Sequence, residues 1–307
     1  MTTFLKSILG LTLIFLIDTS GLAQQDPQFT QYYFNPLSTN SAYAGTRDAL
    51  SMNLVAREQW LGIDGRPRTQ ALSIHAPLKD TKLAWGLGFT SDQHGPVKSS
   101  YLSGDGAYSF RITETSELSL GLKASLHFFR AELSALETNN DISFSKDLSS
   151  QAIPNFGFSA YWYSKTHFIG LSAPRLIENG VISEVGTIEV PSEKRHLFLT
   201  AGKVFTLNHS LKFKPTLFMK YVGGAPLSTD ISANLLIQER LWVGLFARLK
   251  DSAGLMVSYQ VNDNIRIGYS YDKTISNLAG FNSGSHEILI NYDLKLGKEK
   301  TLSPRYF

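Results

Sequence analysis

The chain has no cysteine and few charged residues, and each shortage excludes a class of protein. With no cysteine among its 307 residues, a small secreted fold held together by disulfides is excluded. Charged residues account for only 18% of the sequence, while aromatic residues account for 12%. This composition is rich in rings and poor in charge for the surface of a soluble protein. The formal net charge of +3 is also too small to predict a nucleic-acid partner.

Continuous apolar sequence is scarce too, and its one extended run lies at the N-terminus. Lys6 precedes an apolar run at residues 8–17, and small and polar residues follow as far as Ala23. This order is typical of a secretory signal peptide, and it predicts that residues 1–23 are removed by cleavage before Gln24. An anchor helix is the alternative, but the run is shorter than the roughly 20 residues that a spanning helix needs. We therefore expect the mature chain to lie beyond the inner membrane.

Short stretches of alternating polarity fill the rest of the chain. In the first of them, Leu50 and Leu54 share one face and Asn53 and Arg57 share the other, which is the pattern of a β-strand. About 14 such strands are predicted, at residues 50–57, 70–76, 83–90, 102–111, 118–129, 156–163, 167–172, 196–206, 211–221, 231–237, 241–249, 253–260, 265–272 and 286–296. Unpaired backbone groups are costly in hydrocarbon, so such a sheet must close. The predicted fold is all-β, a closed antiparallel outer-membrane β-barrel with an N-terminal periplasmic or plug segment.

The connections between these strands indicate an orientation. Those predicted to be short are residues 77–82, 113–116, 164–165, 207–210, 238–240 and 261–263, and those predicted to be longer are 60–68, 91–99, 130–155, 173–193 and 273–285, with 250–252 as an exception. Outer-membrane barrels carry short turns on the periplasmic side and longer loops outside. We therefore expect a barrel over residues 49–297, a periplasmic tail at 298–307 and both mature termini in the periplasm. A soluble β-protein is the alternative.

Charged side chains on the polar strand faces are predicted to point into the lumen. A Lys or Arg that faced lipid at mid-bilayer would cost about 2 to 4 kcal/mol. The main candidates for lumen charge are Arg57, Lys123, Arg248 and Arg266, and the further lysines are Lys203, Lys212, Lys214, Lys220 and Lys295. The opposing acids are Asp105, Asp272, Glu287 and Asp293. We expect a net positive lumen that attracts an acidic segment of a partner or of this chain.

The predicted mature chain begins with motifs that resemble a known family. Residues 25–37 read QDPQFTQYYFNPL, residues 40–45 read NSAYAG, residues 57–65 read REQWLGIDG and residues 303–307 read SPRYF. These blocks resemble the PorP/SprF family, outer-membrane proteins of the type IX secretion system of Bacteroidetes. The resemblance extends over essentially the whole mature chain. It departs at Ser41, where the family pattern usually has proline.

The resemblance implies a function as well as a fold. It implies a non-enzymatic role in exporting secreted cargo proteins with a C-terminal secretion domain, gliding adhesins among them, and in attaching them to the cell surface. It also implies contact with periplasmic ring components of the machine and with outer-membrane lipid, and it implies no cofactor. A general diffusion porin or small-solute channel is the alternative, because a fold alone does not fix a function.

The segment at residues 24–48 is too aromatic for a disordered tail and too irregular for a strand. The residues predicted to bind a partner are Phe29, Tyr32, Tyr33, Phe34, Asn35, Pro36 and Tyr43. Aromatic anchors of this kind carry much of the binding energy at protein interfaces. The other interpretation is a plug that stabilises the barrel alone.

Two polar groups are candidates for chemistry. Ser73 and His75 share a strand face near Asn53, but this spacing is more typical of a polar barrel wall than of a catalytic triad. Residues 139–141 and Asp147 offer oxygen ligands for calcium, yet they lack the spacing of a dedicated calcium loop, and a hydrated external loop is the simpler interpretation. We predict neither a catalytic nor a metal site.

Overall fold

The computed structural model describes residues 27–135, 147–150, 152–178 and 194–295. The predicted signal peptide, the start of the aromatic segment, residues 139–141 and the predicted C-terminal tail lie outside the described residues. Within those residues, none of the helices is both long enough and apolar enough to cross a membrane.

Sixteen strands make up the described sheet. They are β1 (Ala49–Glu58), β2 (Arg68–Pro77), β3 (Leu83–His94), β4 (Val97–Arg111), β5 (Ser116–Ala131), β6 (Leu148–Ser149), β7 (Ile153–Ser164), β8 (His167–Ala173), β9 (His196–Lys203), β10 (Phe205–Asn208), β11 (Leu211–Val222), β12 (Ser228–Ile237), β13 (Leu241–Arg248), β14 (Ser252–Gln260), β15 (Ile265–Thr274) and β16 (Ser285–Lys295).

The sheet closes because its first strand, β1, pairs with its last strand, β16, as well as with β2. Strand β1 is antiparallel to β2, with Asn53 opposite Ser73, and antiparallel to β16, with Asn53 opposite Asn291. Strands β9 and β10 both pair with β11 and are separated at Val204, so they form one broken strand. The two-residue β6 pairs with β5 outside the main path. The result is a closed antiparallel barrel of 14 strands, as the alternation predicted.

Each strand presents one face to the lumen and one to the outside. On β5, for example, Leu122 is 67% exposed on the outer surface, whereas the neighbouring Lys123 is 7% exposed and faces inward. Large apolar side chains such as Leu245, Leu255 and Ile288 likewise lie on the outer surface. An exposed apolar belt of this kind suits a hydrocarbon environment rather than water.

The connections differ between the two ends of the barrel. The end that carries residues 59–67, 174–195 and 275–284 is called the long-connection end here, and the end that carries residues 78–82 and 165–166 is called the short-turn end.

The prediction of a long connection at residues 91–99 is wrong. Strands β3 and β4 continue past it to a two-residue turn at Gly95 and Pro96, where Gly95 has a positive φ of 54°. Asp92 and His94 are polar yet stay in the ladder, opposite Ser99 and Val97. The strands extend past the apolar belt into water, where polar residues suit both faces, so polarity no longer marks the strand's end.

Candidate functional site in the barrel lumen

Residues 27–48, called the lumenal segment below, run through the inside of the barrel. They form three short 3-10 turns, at Tyr32–Phe34, Pro36–Ser38 and Ser41–Tyr43. The segment starts near the long-connection end, where Gln28 contacts Asp230, and ends at the short-turn end, where Arg47 contacts Asp293. It therefore crosses the lumen lengthwise before the chain enters β1.

A buried ionic network fixes the beginning of the segment. Glu287 accepts hydrogen bonds from the backbone N–H groups of Thr30 (2.8 Å) and Gln31 (2.9 Å). Arg57 pairs with Asp272 at 2.6 Å and with Glu287 at 3.3 Å, and it also donates to the Thr30 hydroxyl. These three charged side chains are at most 2% exposed. A buried charge needs such partners because its desolvation is otherwise uncompensated.

A second ion pair lies next to the start of the segment. Arg248 pairs with Asp230 at 2.8 Å and with Asp251 at 3.2 Å. Asp230 also accepts a hydrogen bond of 3.0 Å from the Gln28 side chain. The first described residues are therefore connected to β12 and β13 as well as to β1, β15 and β16.

Consecutive aromatic residues of the segment pack against the wall of β11 to β14. The Tyr32 ring lies 4.7 Å from the Phe218 ring, and the Phe34 ring lies 6.1 Å from Trp242. The Tyr33 hydroxyl donates to Asn234 at 2.7 Å. Stacked and edge contacts of this kind stabilise a pair beyond the apolar area that they bury.

Two lumenal cations lie against the same aromatic rings. The Lys214 ammonium is 3.9 Å from the centroid of Tyr33 and 4.4 Å from that of Trp242. The Arg266 guanidinium is 4.9 Å from the centroid of Phe34. Cation–π contacts are stronger when both groups are removed from water, as Lys214, Tyr33 and Trp242 are.

The middle of the segment contacts the opposite wall. The Ser73 hydroxyl donates to the Asn35 side chain at 2.7 Å. Lys123 pairs with Asp105 at 2.8 Å, and its ammonium lies 3.4 Å from the Leu37 carbonyl oxygen. A cavity of about 80 Å³ remains beside these residues, which is space for a few water molecules only.

Small residues of the segment approach the wall where the wall carries glycine. The Ser159 hydroxyl accepts a bond of 2.8 Å from the Ala42 N–H and lies 2.6 Å from the Ser41 hydroxyl. A side chain at the inward-facing Gly121 would collide with the backbone of Ala42. At Gly170 on β8, an added Cβ would lie 2.9 Å from the Asn40 amide nitrogen. The backbone of the segment therefore lies directly against the wall at the positions where the wall has glycine.

The last residues of the segment contact strands at the short-turn end. The Gly45 N–H donates to the His75 Nδ1 atom at 3.1 Å, and the Tyr43 ring is edge-on to His75 at 5.4 Å. Tyr161 contacts the other side of Tyr43, at 5.5 Å. Gly45 has a positive φ of 74°, a conformation that favours glycine. The chain turns here toward Asp48 and β1.

The residues predicted to bind a partner all lie inside the barrel. Phe29, Tyr32, Tyr33, Phe34, Asn35, Pro36 and Tyr43 are buried. A partner could reach these side chains only if the segment left the lumen, so their partner-binding role stays a prediction. Their contacts agree with the other interpretation, a plug. Ser73 and His75, which were considered for catalysis, bond to Asn35 and Gly45 of the segment.

The four main candidates for lumen charge do face inward, but three of them are matched by wall acids. Arg57, Lys123 and Arg248 each pair with a carboxylate of the barrel itself. Arg266 instead donates to Gln260 at 3.0 Å and lies over Phe34. The described segment is not the acidic plug that was considered, since its charged residues are Arg47 and Asp48.

Two of the further lysines, Lys203 and Lys295, are not placed in the lumen by the described side chains. Lys203 was predicted to face the lumen but is exposed, with its ammonium 5.1 Å from the ring of the exposed Phe205. The alternation of β9 continues as far as Val204, so the inward face carries His196, Phe198, Thr200 and Val204, and Lys203 falls on the outward face. The side chain of Lys295 lies outside the described residues.

The two ends of the described chain lie at opposite ends of the barrel. Pro27 and Gln28 line a cavity at the long-connection end together with Trp60. Lys295 is opposite Ala49 at the short-turn end. The predicted mature termini themselves lie outside the described residues, so their common periplasmic location stays a prediction.

The cavity at the long-connection end has a volume of about 800 Å³ and is called the vestibule below. Its floor includes Pro27 and Gln28, and its walls come from β3 to β5, β9, β11 to β13 and the connections at that end. Aromatic and basic side chains line much of it, among them Trp60, Tyr101, Phe129, Arg175, Lys194 and Lys220. Asp92 and Asp251 are acids of the same lining.

One residue of the group that was considered for calcium binding is described. The Asp147 carboxylate accepts hydrogen bonds from the Ser134 N–H (3.0 Å) and hydroxyl (2.8 Å). These hydrogen bonds lower the pKa of Asp147, because they stabilise its charged form. Asp147 thus binds Ser134.

The wall residues that hold the segment were mostly missed by sequence reasoning. Ser159 and the inward glycines Gly86, Gly121, Gly170 and Gly268 all approach it closely. A usable signal was present, because each of these glycines falls on the inward face of a predicted strand. Glycine on such a face indicates that another part of the chain approaches closely.

Together, the fold and the lumen define the class as an outer-membrane β-barrel that is filled by its own N-terminal segment. Residues 21–292 match the model of a family described as "Type IX secretion system membrane protein PorP/SprF". The chain belongs to the PorP/SprF family, as the N-terminal motifs predicted.

Several solved barrels are similar in fold. A structure titled "KdgM porin" is 10% identical with a TM-score of 0.37, covering 79% of this chain and 98% of that one. A FadL homologue from Pseudomonas aeruginosa is 12% identical with a TM-score of 0.43, covering 80% and 89%. BamA from Haemophilus ducreyi is 11% identical with a TM-score of 0.43, covering 80% and 70%. No curated protein matches the chain.

Proposed function

We propose that the protein is a non-enzymatic component of the type IX machine that acts in the export and cell-surface attachment of partner proteins carrying a C-terminal secretion domain, gliding adhesins among them. Membership of the PorP/SprF family supports this role. The observation that carries it is the filled lumen. Buried side chains and backbone of residues 27–48 occupy the path that a diffusing solute would take, which favours a docking role over a diffusion porin.

The vestibule is the place on the barrel that best suits a docked cargo segment. It is concave and combines partly exposed aromatic side chains such as Trp60 and Tyr101 with basic ones such as Lys194. Exposed aromatic surface supplies binding energy, and basic groups select an acidic partner. We propose that an acidic, aromatic-containing part of the cargo binds here.

The proposed orientation places the long-connection end outside the cell. Short periplasmic turns and long external loops are the rule for outer-membrane barrels. In this orientation Pro27 is close to the cell surface, and the turns at residues 78–82 and 165–166 face the periplasmic ring. This differs from the initial expectation for the N-terminus, which was placed in the periplasm.

Single cysteines test this orientation directly, because the natural chain has none. Asp64→Cys in the 59–67 connection and Gln28→Cys in the vestibule should react with a membrane-impermeant thiol reagent on intact cells. Lys82→Cys in a short turn should react only after the outer membrane is opened. Labelling of Lys82→Cys alone on intact cells would reverse the proposed orientation. Labelling of Asp64→Cys but never of Gln28→Cys would contradict the proposed position of the N-terminus.

Docking is tested with the purified barrel and the C-terminal domain of a secreted cargo. The wild type should retain that domain and show no steady open-channel current in a planar bilayer. Arg175→Glu with Lys194→Glu should weaken retention, because the variant vestibule would repel an acidic partner. Lys79→Glu with Lys165→Glu makes the same change of charge at the short-turn end and should retain the domain normally. A steady wild-type conductance without cargo retention would favour the porin alternative.

A further inference from the structure

The outer wall of the barrel carries a basic patch that the lumen does not explain. Arg68 on β2, Lys98 on β4 and Arg130 on β5 are exposed, and Gln93 on β3 lies between the first two. The strand register joins them into one row: Arg68 is opposite Gln93, Gln93 opposite Lys98, and Lys98 opposite Arg130. Neighbouring strands are about 4.8 Å apart, so the row is compact.

The row lies just beyond the end of the apolar belt. Each cation of the row has a leucine four residues away on its own strand, on the side toward the short-turn end. These leucines are Leu72 on β2, Leu102 on β4 and Leu126 on β5, and all three are exposed on the outer surface. Between the two levels, Ser91 of β3 lies opposite Ser100 of β4, and Ser100 lies opposite the exposed Phe128 of β5. On β5 the apolar surface therefore extends up to Arg130, and on β4 the order from the belt outward is apolar, hydroxyl and cationic. This is the order of groups in a lipid with acyl chains, a sugar headgroup and phosphates.

The charges of the patch favour an anion from outside the chain. Lys98 and Arg130 are directly opposite each other, and like charges in this position destabilise a strand pair. Arg130 pairs with Glu132 at 3.1 Å, and Arg68 lies 3.5 Å from Glu58. Among the described residues, Lys98 has no ion-pair partner. An anion bound between Lys98 and Arg130 would relieve their repulsion.

The opposite side of the barrel has no comparable row. At the same end, the outward positions of β12 to β15 that face one another carry Ile231, Ala247, Ala253 and Lys273, so this row has one cation where the patch has three. The patch is therefore a feature of one wall rather than a ring at headgroup level.

We propose that the outer wall of β2 to β5 binds a phosphorylated glycolipid of the lipid A type, with its phosphates between Lys98, Arg130 and Arg68 and its acyl chains over the leucines below. Placing this lipid in the outer leaflet rests on the proposed orientation. The binding itself does not, since a bilayer that contains lipid A on both sides offers it to either end.

The test uses the full mature protein in nanodiscs of phosphatidylethanolamine that contain a small fraction of lipid A. Lipid that remains bound after transfer to detergent is measured by mass spectrometry. Dephosphorylated lipid A and phosphatidylglycerol are the comparison lipids. The wild type should retain phosphorylated lipid A and little of either comparison lipid. Equal retention of dephosphorylated lipid A would overturn the proposal.

Variants locate the site. Arg68→Gln with Lys98→Gln and Arg130→Gln should weaken retention by about fivefold for each charge removed. Lys98→Gln alone should give the single-step loss and serves if the triple variant folds poorly. The control Lys79→Gln with Lys82→Gln and Lys165→Gln removes three exposed charges at the short-turn end and should bind normally. Wild-type retention by the first variant, or an equal loss in the control, would show that the patch is not the site.

Discussion

The two halves of the lumenal segment are held by different kinds of contact. Residues 27–35 pack against β11 to β16 and β1 through hydrogen bonds to the ion pairs of the wall, tyrosine hydroxyls and cation–π contacts. Residues 36–48 pack mainly against β2 to β8, where small residues approach the wall backbone. The first half depends on hydrogen bonds to the matched charges of the wall, whereas the second depends mainly on missing side chains, with one ion pair at its end between Arg47 and Asp293. The same chain thus fills a polar lumen in two ways.

The largest expected effect on stability comes from the ion pairs of the wall that hold residues 27–35, the first half of the segment. Arg57→Ala should lower the free energy of unfolding by about 3 to 5 kcal/mol, because it leaves Asp272 and Glu287 buried without their common cation. Urea unfolding in lipid vesicles, followed by the shift between folded and unfolded bands on a gel, measures the change.

Two controls define this result. Arg66→Ala breaks a more exposed ion pair with Glu58 and should cost at most about 1 kcal/mol. Adding Glu287→Gln to Arg57→Ala should recover part of the loss, since one uncompensated charge is then removed. Equal losses for Arg57→Ala and Arg66→Ala would show that the buried network does not hold the first half.

A change in the small-residue half should have an intermediate effect. Gly121→Val would place a branched side chain against the backbone of Ala42, and overpacking of this kind costs about 1 to 3 kcal/mol. We expect residues 36–48 to move away from the wall while residues 27–35 stay. A cysteine at Ser41 should then become reactive in the Gly121→Val background, and a cysteine at Gln28 should react as before.

The matched control is Gly104→Val, because a Cβ at Gly104 meets nothing within 4 Å. This variant should leave the Ser41 cysteine protected. If the Gln28 cysteine also reacted faster in Gly121→Val than in the wild type, the two halves would leave the lumen together, and the distinction between them would not apply to movement.

The barrel could be predicted from the sequence to a greater extent than the lumen could. Alternation identified the strands because one face meets lipid and the other does not. It failed at β3 and β4, where Asp92 and His94 lie beyond the lipid and polarity no longer distinguishes strand from loop. Residues 139–141, the candidate calcium ligands, lie outside the described residues.

The course of the lumenal segment was harder to predict, for a physical reason. A water-filled lumen and a lumen filled by a polar segment require the same inward polar residues, so alternation cannot separate them. Glu287, for example, was predicted only as a lumenal acid, whereas it accepts two backbone hydrogen bonds from the segment. Pro27 and Lys295 lie at different ends of the barrel, and this followed from the contacts of the segment and not from the number of strands.

The smallest expected effect on stability comes from a single hydroxyl in the first half of the segment. Tyr33→Phe removes the bond to Asn234 but keeps the ring between Lys214 and Phe34, so the cation–π contacts remain. Removing one partner of a buried hydrogen bond costs about 1 to 3 kcal/mol, and the lower limit is expected because the Asn234 amide keeps its bonds to Lys214 and Ser232. Urea unfolding should show this loss without reactivity at a Ser41 cysteine.

Tyr221→Phe is the control for that change, because its hydroxyl lies on the exposed outer wall and should contribute less than about 0.5 kcal/mol. A loss in Tyr33→Phe as large as in Arg57→Ala would mean that the aromatic rings and their hydroxyls, rather than the ion pairs, hold the first half. The contrast between the halves would then be one of aromatic against small residues. A loss that is no larger than in Tyr221→Phe would leave the ion pairs and cation–π contacts as the groups that hold residues 27–35 in the lumen.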